Sequence, residues 1–378
     1  MLWIGLMSGT SADAVDAALV RIGDQPSDLE LVEFIEDPLP AELATQVREF
    51  SDRKVLLREL LELNRSLAER FAGAATRLLE QAGVDPAEVE GIGSHGQTVA
   101  HHPEPPARGS LQLADPAVIS QQTGIPVVSD FRSADLAAGG QGAPLTPFFH
   151  CVAFAARAPC AVLNIGGFTN VSYMGEGPES TIIGFDPGPG NALLDRAAQF
   201  ASEGGARYDS DGSIAASGQV QESALESLLQ DDYFSRPPPK STGHEHFGAA
   251  FFAHARELVE AAGGGAADLQ ATLAELTVQS VVRSARFAPV SPEVWIVYGG
   301  GVRNLDLMRR LARAVEPRPC RTSDELGVPT DALEAMTFAL LGWCAANGQP
   351  SNLPEVTGAT QALVLGSVTP PNAFSNRP

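Results

Sequence analysis

Three features of this sequence predict an α/β chain of two domains. At 378 residues it exceeds what one hydrophobic core usually organises. Short apolar runs of strand length alternate with amphipathic stretches along nearly the whole chain. Predicted strand ends carrying glycine beside polar or acidic residues recur at 5–16, 94–98, 163–170, 184–191 and 299–304, and open α/β sheets collect their ligands at such ends.

The chain opens with apolar runs at 2–7 and 15–22, a predicted strand pair around Gly5-Leu6-Met7-Ser8-Gly9-Thr10-Ser11-Ala12-Asp13-Ala14-Val15-Asp16. Glycine lets the backbone approach an anion, hydroxyls and N–H groups suit phosphate oxygens, and aspartates suit Mg²⁺ or a proton. A plain hairpin turn favours the same residues, so this stretch alone leaves both readings open. A third strand at 29–35 ends at Asp37-Pro38, and a helix covers about 41–50. Apolar residues three and four apart from Leu56 to Leu78 predict a long helix ending near Gly83, its stripe turned to the core. A short helix opens at Asp85-Pro86, a buried strand at 89–94 runs into His95-Gly96-Gln97-Thr98, and strand, helix and strand follow at 111–113, 117–124 and 125–128. The glycine-rich segment 139–145 has the makeup of a hinge or active-site loop. The domain boundary is placed there, with 1–135 and about 345–372 in the first domain and 136–344 in the second.

In the second half, strands at 161–165 and 181–185 end in Gly166-Gly167-Phe168-Thr169-Asn170 and Asp186-Pro187-Gly188-Pro189-Gly190-Asn191, and a helix follows at about 192–201. Asp209-Ser210-Asp211-Gly212 lacks the third carboxylate and distant Glu of a calcium loop and reads as a turn fixed by Asp side chains. Helices are predicted around 247–262, 268–286, 305–315 and 331–346, a buried strand at 294–298 before Gly299-Gly300-Gly301, and a last strand at 362–365. His254, His101 and His102 read as structural or surface residues.

Lys and Arg number 25 against 46 Asp and Glu, a net charge of −21, which argues against nucleic acid or an anionic membrane as partner. The N-terminus lacks the pattern of a signal peptide, no apolar run approaches the roughly 20 residues of a membrane span, and the four scattered cysteines look like reduced core residues. A cytoplasmic protein is expected. Neither G-x-x-x-x-G-K-[ST] nor a strand-linked G-x-G-x-x-G is present, which disfavours P-loop and Rossmann enzymes.

An early strand–turn–strand phosphate motif, a glycine-rich hairpin in the middle and a late Gly-Gly-Gly before a helix resemble the sugar kinase, heat-shock ATPase and actin superfamily. Within it, Gly5-Leu6-Met7-Ser8-Gly9-Thr10-Ser11, Ser94-His95-Gly96-Gln97-Thr98, Asp130-Phe131-Arg132, 139–145, Asn164-Ile165-Gly166-Gly167, Phe185-Asp186 with Gly188-Pro189-Gly190-Asn191, Gly299-Gly300-Gly301 and Asn352-Leu353-Pro354 with Thr357-Gly358-Ala359 resemble the anhydro-N-acetylmuramic acid kinase family, in order and over nearly the whole chain. The resemblance implies two RNase-H-like (actin/hexokinase-type) domains with an active-site cleft between them. It also implies a homodimer that uses ATP and Mg²⁺ to open 1,6-anhydro-N-acetylmuramic acid with water and to phosphorylate O6 during cell-wall recycling.

By the same resemblance Asp186 is the base. Gly9, Thr10, Ser11, Ala12, Asp13, Ala14, Val15 and Asp16 form the first phosphate turn, Asn164, Gly166 and Gly167 the second, and Gly299, Gly300, Gly301 and Asn304 the adenosine motif. His95, Gln97, Arg132 and Glu334 are the sugar-side candidates, with Arg132 suited to the lactyl carboxylate. A structural bridge from Arg132 to Asp130 or Asp135 is an equally simple account, as a helix-entry turn is for Gly-Gly-Gly. The metal ligands stay unassigned. Four residues depart from the family pattern: Ala14 for Gly, Ala12 for Leu, Pro187 for Thr, and His244 for Arg in Lys240-Ser241-Thr242-Gly243-His244. A kinase for another amino sugar, or an actin- or heat-shock-like protein that signals by closure, are the competing functions.

Overall fold

The computed structural model describes residues 1–9, 12–50, 53–177 and 181–371, in two units: Met1–Ala153 with Ala332–Pro378, and Phe154–Asp331. The strands are β1 (Leu2–Ser8), β2 (Ala14–Ile22), β3 (Leu29–Pro38), β4 (Val89–His102), β5 (Gly109–Leu113), β6 (Val127–Ser129), β7 (Cys160–Ile165), β8 (Phe168–Met174), β9 (Ile182–Pro189), β10 (Val294–Tyr298), β11 (Cys320–Thr322) and β12 (Ser367–Thr369). In the first unit they are ordered β12-β6-β4-β1-β2-β3, with β5 beside β4; in the second, β11-β10-β7-β8-β9.

The two sheets repeat one topology. β1–β2–β3 and β7–β8–β9 are antiparallel meanders, and β4 and β10 return parallel to β1 and β7. β6 and β11 extend the sheets in parallel. Helical crossovers are what parallel neighbours require, and the resulting order is the RNase-H-like one. β1 is a central strand, so Trp3, Ile4 and Leu6 are all buried instead of alternating. The edge strand β3 reverts to half-exposed positions.

Each core follows from this layering. Leu63, Leu67, Phe71, Ala74 and Leu78 of the helix Leu57–Ala82 lie against the first sheet's apolar cluster, and Gly83 ends the helix with φ 65°. Leu193, Leu273, Trp295 and Leu307 belong to the second core. The cysteines are free, and no described helix is long and apolar enough to cross a membrane.

Four sequence expectations need correction. Residues 136–153 and 332–344 belong to the first unit. The reason is the helix Leu333–Ala346, which crosses β1 and β4 so closely that a Cβ on Gly5 would meet the Ala335 carbonyl at 1.8 Å and one on Gly93 the Phe338 carbonyl at 1.9 Å. Leu56 is 70% exposed, because the helix stripe reaches the core only from its second turn onward. β3 does end at Pro38, but it runs past the expected 29–35, because its pairing with β2 continues until Ala14 meets Pro38. The terminal strand is Ser367–Thr369, antiparallel to β6, instead of 362–365, where Leu365 is fully buried outside any strand.

His150, fully buried in the helix Thr146–Ala153, is pushed down to about 3 by burial. The unfolded chain therefore binds a proton that the folded chain refuses between pH about 6.5 and about 3. Stability from this group is complete above that window and is lost as pH falls through it, by up to about 1.4 kcal/mol per pH unit. Denaturant unfolding followed down this pH range should show a shallower decline in His150→Gln than in the parent.

Candidate active site

The base candidate owes its presentation to a fault in a strand. β8 and β9 pair Thr169 with Gly188 and Val171 with Phe185, so Asp186 and Pro187 together oppose Asn170 alone. Such a bulge re-aims a side chain, and it is a place where proline's missing N–H costs no ladder bond. Pro187, a departure from the family pattern, therefore sits where the backbone tolerates it. The Asp186 carboxylate accepts from Asn170 Nδ2 at 2.9 Å and from the Thr242 N–H at 3.0 Å. Its N–H donates to the Lys240 carbonyl at 3.1 Å, and its carbonyl accepts from the Tyr233 hydroxyl at 2.8 Å. Burial raises this carboxyl above its ordinary range, while Asn170, the Thr242 N–H and Lys240 oppose the shift.

Beside it, β7 ends at Asn164-Ile165 and turns through Gly166 and Gly167. The carbonyls of that turn accept from backbone N–H groups of Gly190, Asn191 and Ala192 at 2.8–3.1 Å, which ties it to the start of the helix Asn191–Ala201. A Cβ on Gly190 would meet the Gly166 carbonyl at 2.5 Å. Gly299, after β10, has φ 85°, and its Cβ would lie 2.1 Å from Asn164 Oδ1; a Cβ on Gly301 would lie 2.3 Å from Ile165 Cγ2. Gly300 is open and lines a cavity of about 400 Å³ with Asn191, Asp195, Tyr208, Arg303 and Asn304. Asn304 also caps the helix Leu305–Ala314, accepting from the Leu307 N–H at 2.9 Å. Thus Asn164, Gly166, Gly167, Gly299, Gly300, Gly301 and Asn304 do converge in the second unit. Burial pushes Asp195 up to about 6, with Arg207 opposing. Asp209 accepts from the N–H groups of Ile214 and Ala215, so its run is a turn fixed by its carboxylate.

In the first unit, the turn after β1 is closed by the Ala12 N–H donating to the Gly9 carbonyl and by Ser8 Oγ donating to the Ala14 carbonyl. Thr10 and Ser11 lie outside the described residues. Ala12 is buried with φ 53°, whereas Ala14 begins β2 without a positive φ. The missing glycine at 14 is therefore no conformational loss, and among the described residues of the turn the left-handed position is Ala12. Val15 is buried in the core and has only its backbone to offer, Asp13 is exposed near Arg48, and Asp16 pairs in register with Met7.

Gln97 donates to the Gly9 carbonyl at 3.1 Å, joining the turn to β4. Arg132 donates through Nη2 to His95 Nε2 at 2.8 Å and through Nη1 to the Gly142 carbonyl at 2.7 Å. Because Nε2 accepts, the His95 hydrogen is on Nδ1; burial first and the Arg132 charge second hold this ring well below its usual value, so it is neutral. Its ring lies 4.5 Å from that of Phe338, on the same helix as Glu334. Burial raises Glu334 with Arg132 opposing, and lowers Arg132 to about 10 with Glu334 opposing. His95, Gln97, Arg132 and Glu334 thus belong to one unit, with Gln97 tied directly to the turn. Arg132 forms neither of the bridges to Asp130 or Asp135 that offered the equally simple account.

Asp135 is fully buried and holds the surrounding loops instead, accepting from Gly142 N–H, Asn352 Nδ2 and Thr357 Oγ1 at 2.7–2.8 Å. The Asn352 and Thr357 motifs are therefore its hydrogen-bond donors. His244, exposed, packs edge-on to Phe168 at 5.1 Å. The sequence pattern did not single out Asn170, Tyr233, Lys240 or Thr242 around Asp186, nor Asp195, Tyr208 and Arg303 at the cavity. The polar run at 240–244 after three prolines was the available signal for two of them.

Gly299→Ala is expected to cost on the order of 1–3 kcal/mol of stability, since a Cβ there meets both a positive φ and Asn164. Thermal unfolding of the variant beside the parent checks this.

Comparisons with known proteins find relatives along nearly the whole chain. The family model described as anhydro-N-acetylmuramic acid kinase matches residues 1–371. Proteins named anhydro-N-acetylmuramic acid kinase from Gloeobacter violaceus, Shewanella halifaxensis and Bordetella pertussis are 44%, 42% and 42% identical to this chain. The alignments cover 97–98% of this chain and 96–98% of theirs. Among solved structures, component A of (R)-2-hydroxyglutaryl-CoA dehydratase from Acidaminococcus fermentans superposes with a TM-score of 0.50 at 12% identity, over 92% of this chain and 99% of its own, a likeness of fold alone. The chain belongs to the anhydro-N-acetylmuramic acid kinase family.

Proposed function

We propose that this chain uses ATP to convert 1,6-anhydro-N-acetylmuramic acid into N-acetylmuramic acid 6-phosphate, with Asp186 as the base. The observation that carries this reading is the bulge that presents a half-buried carboxylate, held by Asn170 and the Thr242 N–H. Asp186 takes a proton from the water that attacks the anomeric carbon. The C1–O6 bond breaks, its electrons stay on O6, and O6 attacks the γ-phosphorus as ADP leaves. Raising this carboxyl by burial moves its proton affinity toward that of a working base.

The second-unit cavity supplies the nucleotide's place, lined by Asn191, Asp195, Tyr208, Arg303 and Asn304 beside the open Gly300, while Gly299 and Gly301 let the loop after β10 pack against Asn164 and Ile165. Arg132 meets the lactyl carboxylate and Glu334 accepts from a sugar hydroxyl, while neutral His95 holds the guanidinium in place. Mg²⁺, when bound, offsets phosphate charge. The reading extends to a cytoplasmic homodimer, which light scattering on the purified chain tests for its oligomeric part.

Incubation with Mg-ATP and the anhydro sugar in ¹⁸O-water tests the reaction. Sugar-dependent ADP and a 6-phosphorylated product with ¹⁸O on the anomeric carbon are expected. ADP release independent of sugar would overturn the reading in favour of a nucleotide-driven signalling protein.

A further inference from the structure

Lys240 is the one cation among the groups around Asp186 that the reaction above leaves without a task. It is half-buried in the loop 236–248, between the helices Asp232–Ser235 and Ala249–Ala261, and makes no ion pair among the described residues. Its Nζ donates to the Tyr233 carbonyl at 3.0 Å and lies 4.6 Å from the centre of the Tyr233 ring, 5.5 Å from that of Phe287 and 5.7 Å from that of Phe185. Three aromatic rings and a carbonyl thus form a cage for an ammonium, the kind of site that favours a desolvated cation.

This cage is tied to Asp186 through the chain and through hydrogen bonds. Phe185 is its chain neighbour. The Tyr233 hydroxyl donates to the Asp186 carbonyl, the Lys240 carbonyl accepts the Asp186 N–H, and two residues further the Thr242 N–H reaches the carboxylate. One loop therefore grips both the backbone and the side chain of Asp186, and the caged ammonium fastens that loop. A buried hydrocarbon stem would need no cation for such a fastening; a nearby carboxylate gives the charge its use.

We propose that Lys240 is a positioning residue for Asp186, its caged ammonium fastening the loop that orients the carboxylate and supplying the positive charge that keeps it ionised for proton abstraction. This rests on the reading of Asp186 as base. The charged groups facing the pair are Arg236 and Arg286 on Lys240's side and Glu245 on that of Asp186. Burial, then Arg286 and Arg236, push Lys240 down to about 8, with Asp186 opposing. The ammonium consequently discharges just above neutrality, which gives the cage a signature in rate against pH.

The test follows sugar-dependent ADP release from about pH 5 to about pH 10 in the full chain, Lys240→Met, Lys240→Arg and Asp186→Asn. Lys240→Met should lower kcat at least about tenfold, keep the sugar KM within about threefold, and move the acid limb of kcat/KM upward, because Asp186 loses the charge that favours its ionised form. Lys240→Arg should restore the acid limb and remove the alkaline decline of the parent, since a guanidinium keeps its proton throughout this range. A Lys240→Met enzyme with the parent's kcat and acid limb overturns the proposal. Should near-ultraviolet circular dichroism show Lys240→Met unfolded, Lys240→Arg decides alone: an alkaline decline identical to the parent's overturns the proposal, and its loss supports it. Turnover retained in Asp186→Asn overturns the base reading and this proposal together, whereas a dead Asp186→Asn beside an unaltered Lys240→Met overturns only this one.

Discussion

Asp186→Asn is expected to lower kcat by roughly 10²- to 10⁴-fold, the span that a positioned general base contributes. The substitution is nearly isosteric, so the bulge that presents residue 186 and the bonds from its backbone to Lys240 and Tyr233 stay in place. What changes is the side chain's chemistry. The carboxylate accepts from two donors, Asn170 Nδ2 and the Thr242 N–H; an amide can accept from only one and turns its own NH₂ on the other. The cost to stability is on the order of 1–3 kcal/mol, too little to unfold the chain and easily separated from the rate by thermal melting. The KM values for ATP and sugar should stay within about threefold, because the lost interaction serves the water and not the bound reactants. In the parent, kcat/KM should fall on the acid side with a limb above the ordinary carboxylate value, since burial opposes ionisation here and the hydrogen bonds only partly compensate. An Asp186→Asn enzyme retaining a tenth or more of the parent's rate would remove this residue from the role of base.

The sequence was informative wherever a local pattern has one dominant physical cause. The three- and four-residue spacing from Leu60 to Leu78 could only bury one face, and Gly83 could only end it. Strand ends rich in glycine marked the places where backbone lies against something else, as Gly299 against Asn164 does. The duplication of topology stayed hidden because it lives in strand order and direction, which quite different side chains satisfy. The assignment of the helix Leu333–Ala346 to the wrong domain has a similar origin. Its sequence is apolar on all sides and says that it is buried, but the partner is chosen by Gly5 and Gly93, hundreds of residues earlier, whose missing side chains make room for it. Around the candidate site, Asp186 was legible from its strand end and its family pattern, whereas Lys240 and Thr242 were not, because they act through backbone atoms and a charge held by rings that come together only in the fold. The departure at Ala14 drew attention to the wrong residue for the same reason: which position of a turn takes φ > 0 is decided by the register of the flanking strands, and among the described residues here it is Ala12.

Asp135→Ala is expected to cost on the order of 3–5 kcal/mol of stability in the first unit, at the upper end of what single substitutions do. The side chain is fully buried and has no cationic partner among the described residues, so its oxygens are satisfied by the three donors that surround it: the Gly142 N–H, Asn352 Nδ2 and Thr357 Oγ1. Truncation leaves all three without that acceptor, and each unsatisfied buried donor carries a penalty of about 1–3 kcal/mol that relaxation of the loops only partly relieves. Asp135→Asn separates charge from shape. Its oxygen can still serve Asn352 and Thr357, but its NH₂ then faces the Gly142 N–H, so an intermediate loss is expected. Function should follow the same order through Arg132. Gly142 both donates to Asp135 and accepts from Arg132 Nη1, so releasing this loop frees the guanidinium that His95 alone then restrains. A guanidinium that must be reordered on binding weakens the ground state as much as the transition state, so the sugar KM should rise more than kcat falls. Thermal unfolding and sugar kinetics on the two variants check both halves. A parent-like melting temperature in Asp135→Ala would show that the three donors find other acceptors, and a raised sugar KM without a lowered melting temperature would place Asp135 in sugar binding instead of loop closure.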